Sequence, residues 1–184
     1  LFRSKLDAKT LVGDGIVDYF VEQMPEKEPS KEKVDTLRKA YELETILDLF
    51  DFRDFYRLVG KIAKVVIDNR TLFEGELVQE LSTIRDKSKT KLVDVSQKFE
   101  KQIRTLHSSA LYESNPPLQE RLQKGTTYFK EELTTQSDMM LKLPYKTDNK
   151  NVNEQIEDAL KQLREVVYVK KQCLSNCEQR FVID

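Results

Sequence analysis

Between Thr71 and Leu111 apolar residues return every eleven positions on three parallel tracks, and this repeat restricts the fold more than any other feature of the chain. Leu77, Ser88, Phe99 and Ala110 form one track, Leu81, Leu92 and Ile103 a second, and Ile84, Val95 and Leu106 a third. Eleven residues over three turns is about 3.67 per turn, close to a straight α-helix. The stripe therefore stays on one side with slight right-handed drift and does not follow the left-handed path of a heptad coil. Thr71-Leu-Phe-Glu74 reads as a capping box that opens this helix, the Thr side chain bonding the Glu amide while Glu reaches back. Roughly forty residues rising 1.5 Å each span about 60 Å, which makes for a rod-like or two-lobed molecule if the helix is unbroken. The weak point is 85–91, where charge is dense and Ser88 occupies an apolar track. A bend or break there would restore compactness.

Shorter helices flank this element. Ile16, Val17, Phe20 and Val21 predict a short helix after Gly15, and Gly13-Asp-Gly15 reads as a turn, since it lacks the spacing of a phosphate loop. Met24 to Ser30, with two prolines, is a linker ending in an N-cap serine. Val34, Leu37, Ala40, Tyr41 and Leu47 follow on one face. Phe52, Phe55, Tyr56, Val59, Ile62, Ala63 and Val66 then give the cleanest helical period, with Asp51 placed to cap. Three aromatics on that stripe suit a base-stacking platform, but this spacing is the ordinary spacing of core. Asn115-Pro116-Pro117 starts another helix, carried by Leu118, Leu122, Phe129, Leu133 and Met140. Gly125 weakens its middle by about 1 kcal/mol relative to alanine unless close packing needs it. After a linker at 143–150 a last helix is expected near Asn151, with Glu154 three residues on. Val152, Ile156, Ala159, Leu160, Leu163, Val166, Val167, Leu174 and Cys177 carry it almost to the end. No repeat of about 30–45 residues marks a helical solenoid.

These patterns predict an all-α fold, an elongated or two-lobed bundle of about five to six helices built around the long helix at about 71–111. Residues 1–184 read as one helical domain or a fragment of a larger protein, with sub-lobes at 1–70 and 112–184 joined by the long helix. A start at Leu1 and an end after Phe181-Val182-Ile183 read as cuts from a longer polypeptide. Lys and Arg number 31 against 32 Asp and Glu, so the whole-chain field attracts no polyanion. No apolar run is long enough to span a membrane, and two cysteines without a larger framework fit a reducing, cytoplasmic setting.

Candidate chemistry is sparse. His107 is the one histidine, it lies beside an apolar track, and no second ligand pairs with it on a helix face. Cys173 and Cys177 share a face at i, i+4 and supply at most half of a zinc site; packed free thiols account for them better. No nucleotide, metal-loop or catalytic pattern stands out, so neither catalytic residues, metal nor cofactor is expected. The one electrostatic signal is Arg85, Lys87, Lys89, Lys91, Lys98, Lys101 and Arg104, seven cations against three carboxylates between 85 and 104. Such a face follows a nucleic-acid backbone, or is simply a solvated helix face. An acidic region, Glu42, Glu44, Asp48, Asp51 and Asp54, stands ready to pair with it.

Leu111-Tyr-Glu-Ser-Asn-Pro-Pro-Leu-Gln-Glu-Arg-Leu and Thr127-Tyr-Phe-Lys-Glu-Glu-Leu, with the terminal helix, resemble helical accessory regions attached C-terminally to some bacterial DNA helicases. The resemblance covers the second half of the chain and includes no motor signature. It implies a piece that positions DNA or partner domains for a motor encoded elsewhere. Two functions follow as expectations. The first is a non-catalytic scaffold whose partners are a protein, flanking domains of the parent chain or a second copy. The second is a DNA-contacting accessory module using the basic face.

Overall fold

A computed structural model describes residues 30–109 and 115–180, and every regular element among them is helical, as the periodicity predicts. The Gly-Asp-Gly turn and the short helix after Gly15 lie outside the described residues. In order, α1 is Lys31–Leu49, α2 Arg53–Asp68, a 3-10 turn Arg70–Leu72, α3 Gly75–Ser88, a π-helical segment Lys89–Asp94, α4 Val95–Ser109, α5 Pro116–Leu141 and α6 Lys150–Arg180. With α3, the π segment and α4 taken as one run, five helices lie among the described residues.

The residues group into two units. Among described residues the first comprises 30–50, 99–109, 115–127 and 171–180; the second comprises 51–98 and 128–170. The grouping therefore cuts across helices, where the sequence places the divisions at the ends of the long helix. In the first unit Ile46, Leu49, Phe50, Ile103, Leu118, Leu122 and Leu174 are buried, and the Phe50 and Phe99 rings meet with centroids 4.6 Å apart. Gly125 faces the Phe99 ring: a Cβ there would lie 2.6 Å from the ring Cζ. The glycine is thus a packing requirement of α5 against α4.

The second unit buries most of the α2 stripe, including Phe55, Val59, Ile62, Ala63 and Val66 together with Leu58, while Tyr56 is half-buried. α2 packs against α3 and the π segment. Phe52, just before α2, stacks on Phe129 of α5 at 5.0 Å, so two phenylalanines of this region are core and not an exposed stacking platform. Each fully buried side chain of this size contributes about 1.5–3 kcal/mol.

Helix starts follow short polar side chains. Ser30 Oγ accepts from Lys33 N at 3.2 Å, and Asn115 Oδ1 accepts from Leu118 N at 3.2 Å while its amide donates to Leu106 O. Two starts differ from expectation. The last helix begins one residue earlier, capped by Asn149, whose Oδ1 accepts from Val152 N at 3.1 Å. Asn153 is then free to tie down the preceding loop through Thr147. The capping box at 71–74 does not form. Leu72 N and Phe73 N bond to Asn69 O and Arg70 O, which draws Thr71 into the 3-10 turn, and the long helix starts at Gly75 behind Glu74, without a side-chain cap.

The weak point around Ser88 is neither a break nor a plain α-helix. Backbone dihedrals stay helical at Ser88, Lys89 and Val95, but 89–94 takes π hydrogen bonding. An i−5 bond puts an extra residue into the turn and leaves a carbonyl without its usual amide partner. Thr90 Oγ1 donates within reach of Asp86 O at 3.1 Å and Lys87 O at 3.2 Å, the same back-bond that Thr83 and Thr105 make to Gln79 O and Lys101 O. Ser88, Leu92 and Val93 are all buried across this segment. Val95 and Leu106, predicted on the third track, are only half-buried.

Candidate functional site

The basic stretch divides between the units. In the second unit Arg85 is half-buried, Lys87 and Lys98 are exposed, and two lysines are engaged. Lys89 lies 3.9 Å from Asp94 and 5.3 Å from the centroid of Tyr56, and Lys91 lies 3.7 Å from Glu132 Oε1. The other Glu132 oxygen is buried without a hydrogen-bond partner among the described residues. In the first unit Lys101 is exposed, while Arg104 bonds Glu100 at 2.9 Å and reaches Glu44 at 3.5 Å. In the acidic region upstream, Glu44 is thus a partner of the basic stretch. Asp51 and Asp54 instead serve their own helix, Asp54 meeting Arg57 at 3.8 Å.

Asp51 is the most elaborated of these carboxylates. It accepts from Arg53 N at 3.0 Å and is clasped by the Arg53 guanidinium, with Nη2 at 2.6 Å. Burial pushes its pKa up, but the Arg53 hydrogen bonds and charge, with Lys170 further off, outweigh this and leave it below the usual 3.8. A carboxylate with a depressed native pKa adds stability that is present above its unfolded value and is lost as pH falls through the native one. Asp51→Asn is therefore expected to flatten the acid limb of a thermal-unfolding profile below about pH 4 while leaving the profile near neutrality parallel to the parent.

Close to Asp51 the second unit has a cleft of about 300 Å³. Its apolar lining is Phe52, Phe55, Leu133, Val166 and Val169; its polar lining is Asp51, Asp54, Glu165 and Lys170. Lys170 Nζ lies 5.9 Å from the Phe52 ring centroid. Val169 is 51% exposed and its neighbour Tyr168 66%, the two most exposed large apolar residues described. Sequence reading missed this surface by treating Val166 and Val167 as ordinary stripe. The available signal was that Val166-Val-Tyr-Val169 is four apolar residues in a row, more than one helix face can bury.

His107 is half-buried, and burial first, then the Lys39 charge, lower its pKa and favour the neutral ring. Cys173 and Cys177 are buried and unbridged, with Thr126 Oγ1 3.9 Å from Cys177 Sγ. No group of three or more His, Cys, Asp or Glu side chains among the described residues is placed to hold a metal ion. No described helix is long and apolar enough to cross a membrane.

A family model, the middle domain of DNA helicases, matches residues 33–184. The chain belongs to the DNA helicase middle-domain family. The match begins near the start of α1, so family membership extends well beyond the second-half segments that carry the sequence resemblance. No curated protein and no solved structure matches the chain. As a helicase middle domain it is an accessory part of a DNA helicase.

Proposed function

We propose that this helicase middle domain is a non-catalytic helical scaffold that holds other parts of its helicase, or a partner protein, against its outer helix faces. The observation that carries the reading is the internal use of the basic stretch: Lys89, Lys91 and Arg104 each meet a carboxylate within 4 Å. Charges spent on neighbours are less available to phosphates, and exposed pairs of this kind still reduce local potential. Lys87, Lys98 and Lys101 support a second reading, a DNA contact, because they are exposed and no ion pair engages them among the described residues.

Anisotropy of short labelled DNA at two salt concentrations separates the two. The scaffold predicts no binding at low salt and association with flanking segments of the helicase in sedimentation. Salt-dependent DNA binding that Lys87→Glu, Lys98→Glu and Lys101→Glu together abolish would overturn it. If these lysines do bind DNA, each substitution should lower the log–log salt slope by about 0.9 per phosphate it leaves unneutralised.

A further inference from the structure

Gly60 and Gly125 are glycines inside helices, and they stand in opposite situations. The Phe99 ring requires Gly125, whereas a Cβ added at Gly60 would meet no heavy atom within 4 Å among the described residues. Gly60 lies midway along α2, half-buried on its flank, and its φ is not positive. Neither a cap nor a left-handed backbone therefore calls for glycine here. Glycine is among the least favourable residues in a helix interior, and nothing within the domain offsets that loss. Its surroundings are positive. On the helix surface Tyr56, Arg57 and Lys64 are its neighbours a turn away, with Lys61 next in sequence. Arg57, Lys61 and Lys64 are exposed, and between 55 and 67 α2 has no carboxylate. Asp54 and Asp68, at the two ends, meet Arg57 at 3.8 Å and Lys64 at 2.7 Å, exposed pairs of little energetic weight. Three cations against these two carboxylates leave +1, and Lys61, without an ion pair among the described residues, is the cation left over. Arg53 is matched by Asp51, and Lys89, over the Tyr56 ring at 5.3 Å, by Asp94, so neither changes that count.

We infer that an acidic helix of a partner protein crosses the outer face of α2 at Gly60, its carboxylates facing Arg57, Lys61 and Lys64. The side chains at a crossing point set how closely two helices approach, and a glycine there permits the closest contact. The surrounding cations then select the sign of the partner's charge and fix its register. A crossing helix meets the carboxylate-free centre of α2 alone. A nucleic-acid strand laid along the same stripe would instead bring phosphates against Asp54 and Asp68. The inference rests on the scaffold reading and names what the scaffold holds.

The test uses the full chain with three fluorescein-labelled probes: a helical peptide with Glu flanking an alanine face, its counterpart with Lys at every Glu, and a dT oligomer. The acidic peptide is expected to bind at least about tenfold more tightly than the basic one, a difference of about 1.4 kcal/mol. Lys61→Glu erases or reverses that preference. Gly60→Leu separates binding from folding. Leucine is the better helix former and its side chain starts in open space, so the melting temperature rises by about 2–4 °C. The same variant binds the acidic peptide about fivefold or more weakly. A rise in melting temperature with unchanged peptide binding would overturn the inference, because the glycine would then be merely tolerated. A fall would overturn it too, by showing that the domain itself needs the glycine. Equal binding of the two peptides has the same consequence, as does a dT oligomer that binds more tightly than the acidic peptide and is released by Lys61→Glu. If the peptide fails while the domain still associates with flanking helicase segments, the Gly60 assignment falls and the scaffold reading stands. DNA binding that disappears when Lys87, Lys98 and Lys101 are changed removes the scaffold reading whatever the peptides do.

Discussion

Truncating Phe129 to alanine lowers the stability of the domain by about 3–5 kcal/mol, the range for removing a fully buried aromatic. Phe129 is 1% exposed, stacks on Phe52 at 5.0 Å with the planes 29° apart, and receives the Tyr128 ring edge-on at 5.2 Å. Deleting it removes transfer energy and leaves a cavity beneath Phe52, whose position before α2 is held by the Asp51–Arg53 clasp. A domain of this kind is stable by about 5–15 kcal/mol, so the loss is a large share of the total. Urea unfolding should show a lower midpoint with an unchanged slope. Phe129→Leu, which keeps most of the volume, should cost well under half as much. A loss below about 1 kcal/mol for alanine would mean that the second unit's core is not organised around this ring.

Gly125→Leu destabilises by about 1–3 kcal/mol despite leucine's higher helix propensity, because the added side chain starts inside the Phe99 ring. Phe99 is 3% exposed and backed by Phe50 at 4.6 Å, so it has nowhere to retreat. Gly125→Ala sets a propensity gain of about 1 kcal/mol against the same clash. A double-mutant cycle isolates the contact: Gly125→Ala should cost less when Phe99 is Leu, giving a coupling of about 0.5–3 kcal/mol between the two sites. Additive effects would sink the account.

The helices were legible where apolar spacing and a short polar cap coincide, as at Ser30 and Asn115. The capping box failed because its pattern is local. Thr71 lies inside a 3-10 turn closed by Leu72 N to Asn69 O and Phe73 N to Arg70 O, while the helix starts only at Gly75 behind Glu74, so Thr71 is not at its N-cap. The basic stretch was legible as composition, but whether a given lysine is available depends on residues far away in sequence. Lys91 faces Glu132 and Arg104 faces Glu44, and no local pattern pairs them. The cleft was illegible for a similar reason: its lining comes from the start of α2, from α5 and from α6.

The eleven-residue repeat by itself determined which residues of this helix face inward, since Leu77, Leu81, Ile84, Leu92, Phe99 and Ile103 are all buried, while leaving its continuity open. It also marked Ser88 as the place where the stripe is under strain. What happens there only the tertiary structure decided. Ser88 is wholly buried and reaches Gln136 of α5, itself 2% exposed, so the chain cannot turn that position to solvent. The helix instead takes in one extra residue as a π turn. Periodicity records which residues prefer to be inside; how a helix accommodates one that fits badly is set by the neighbours it must pack against.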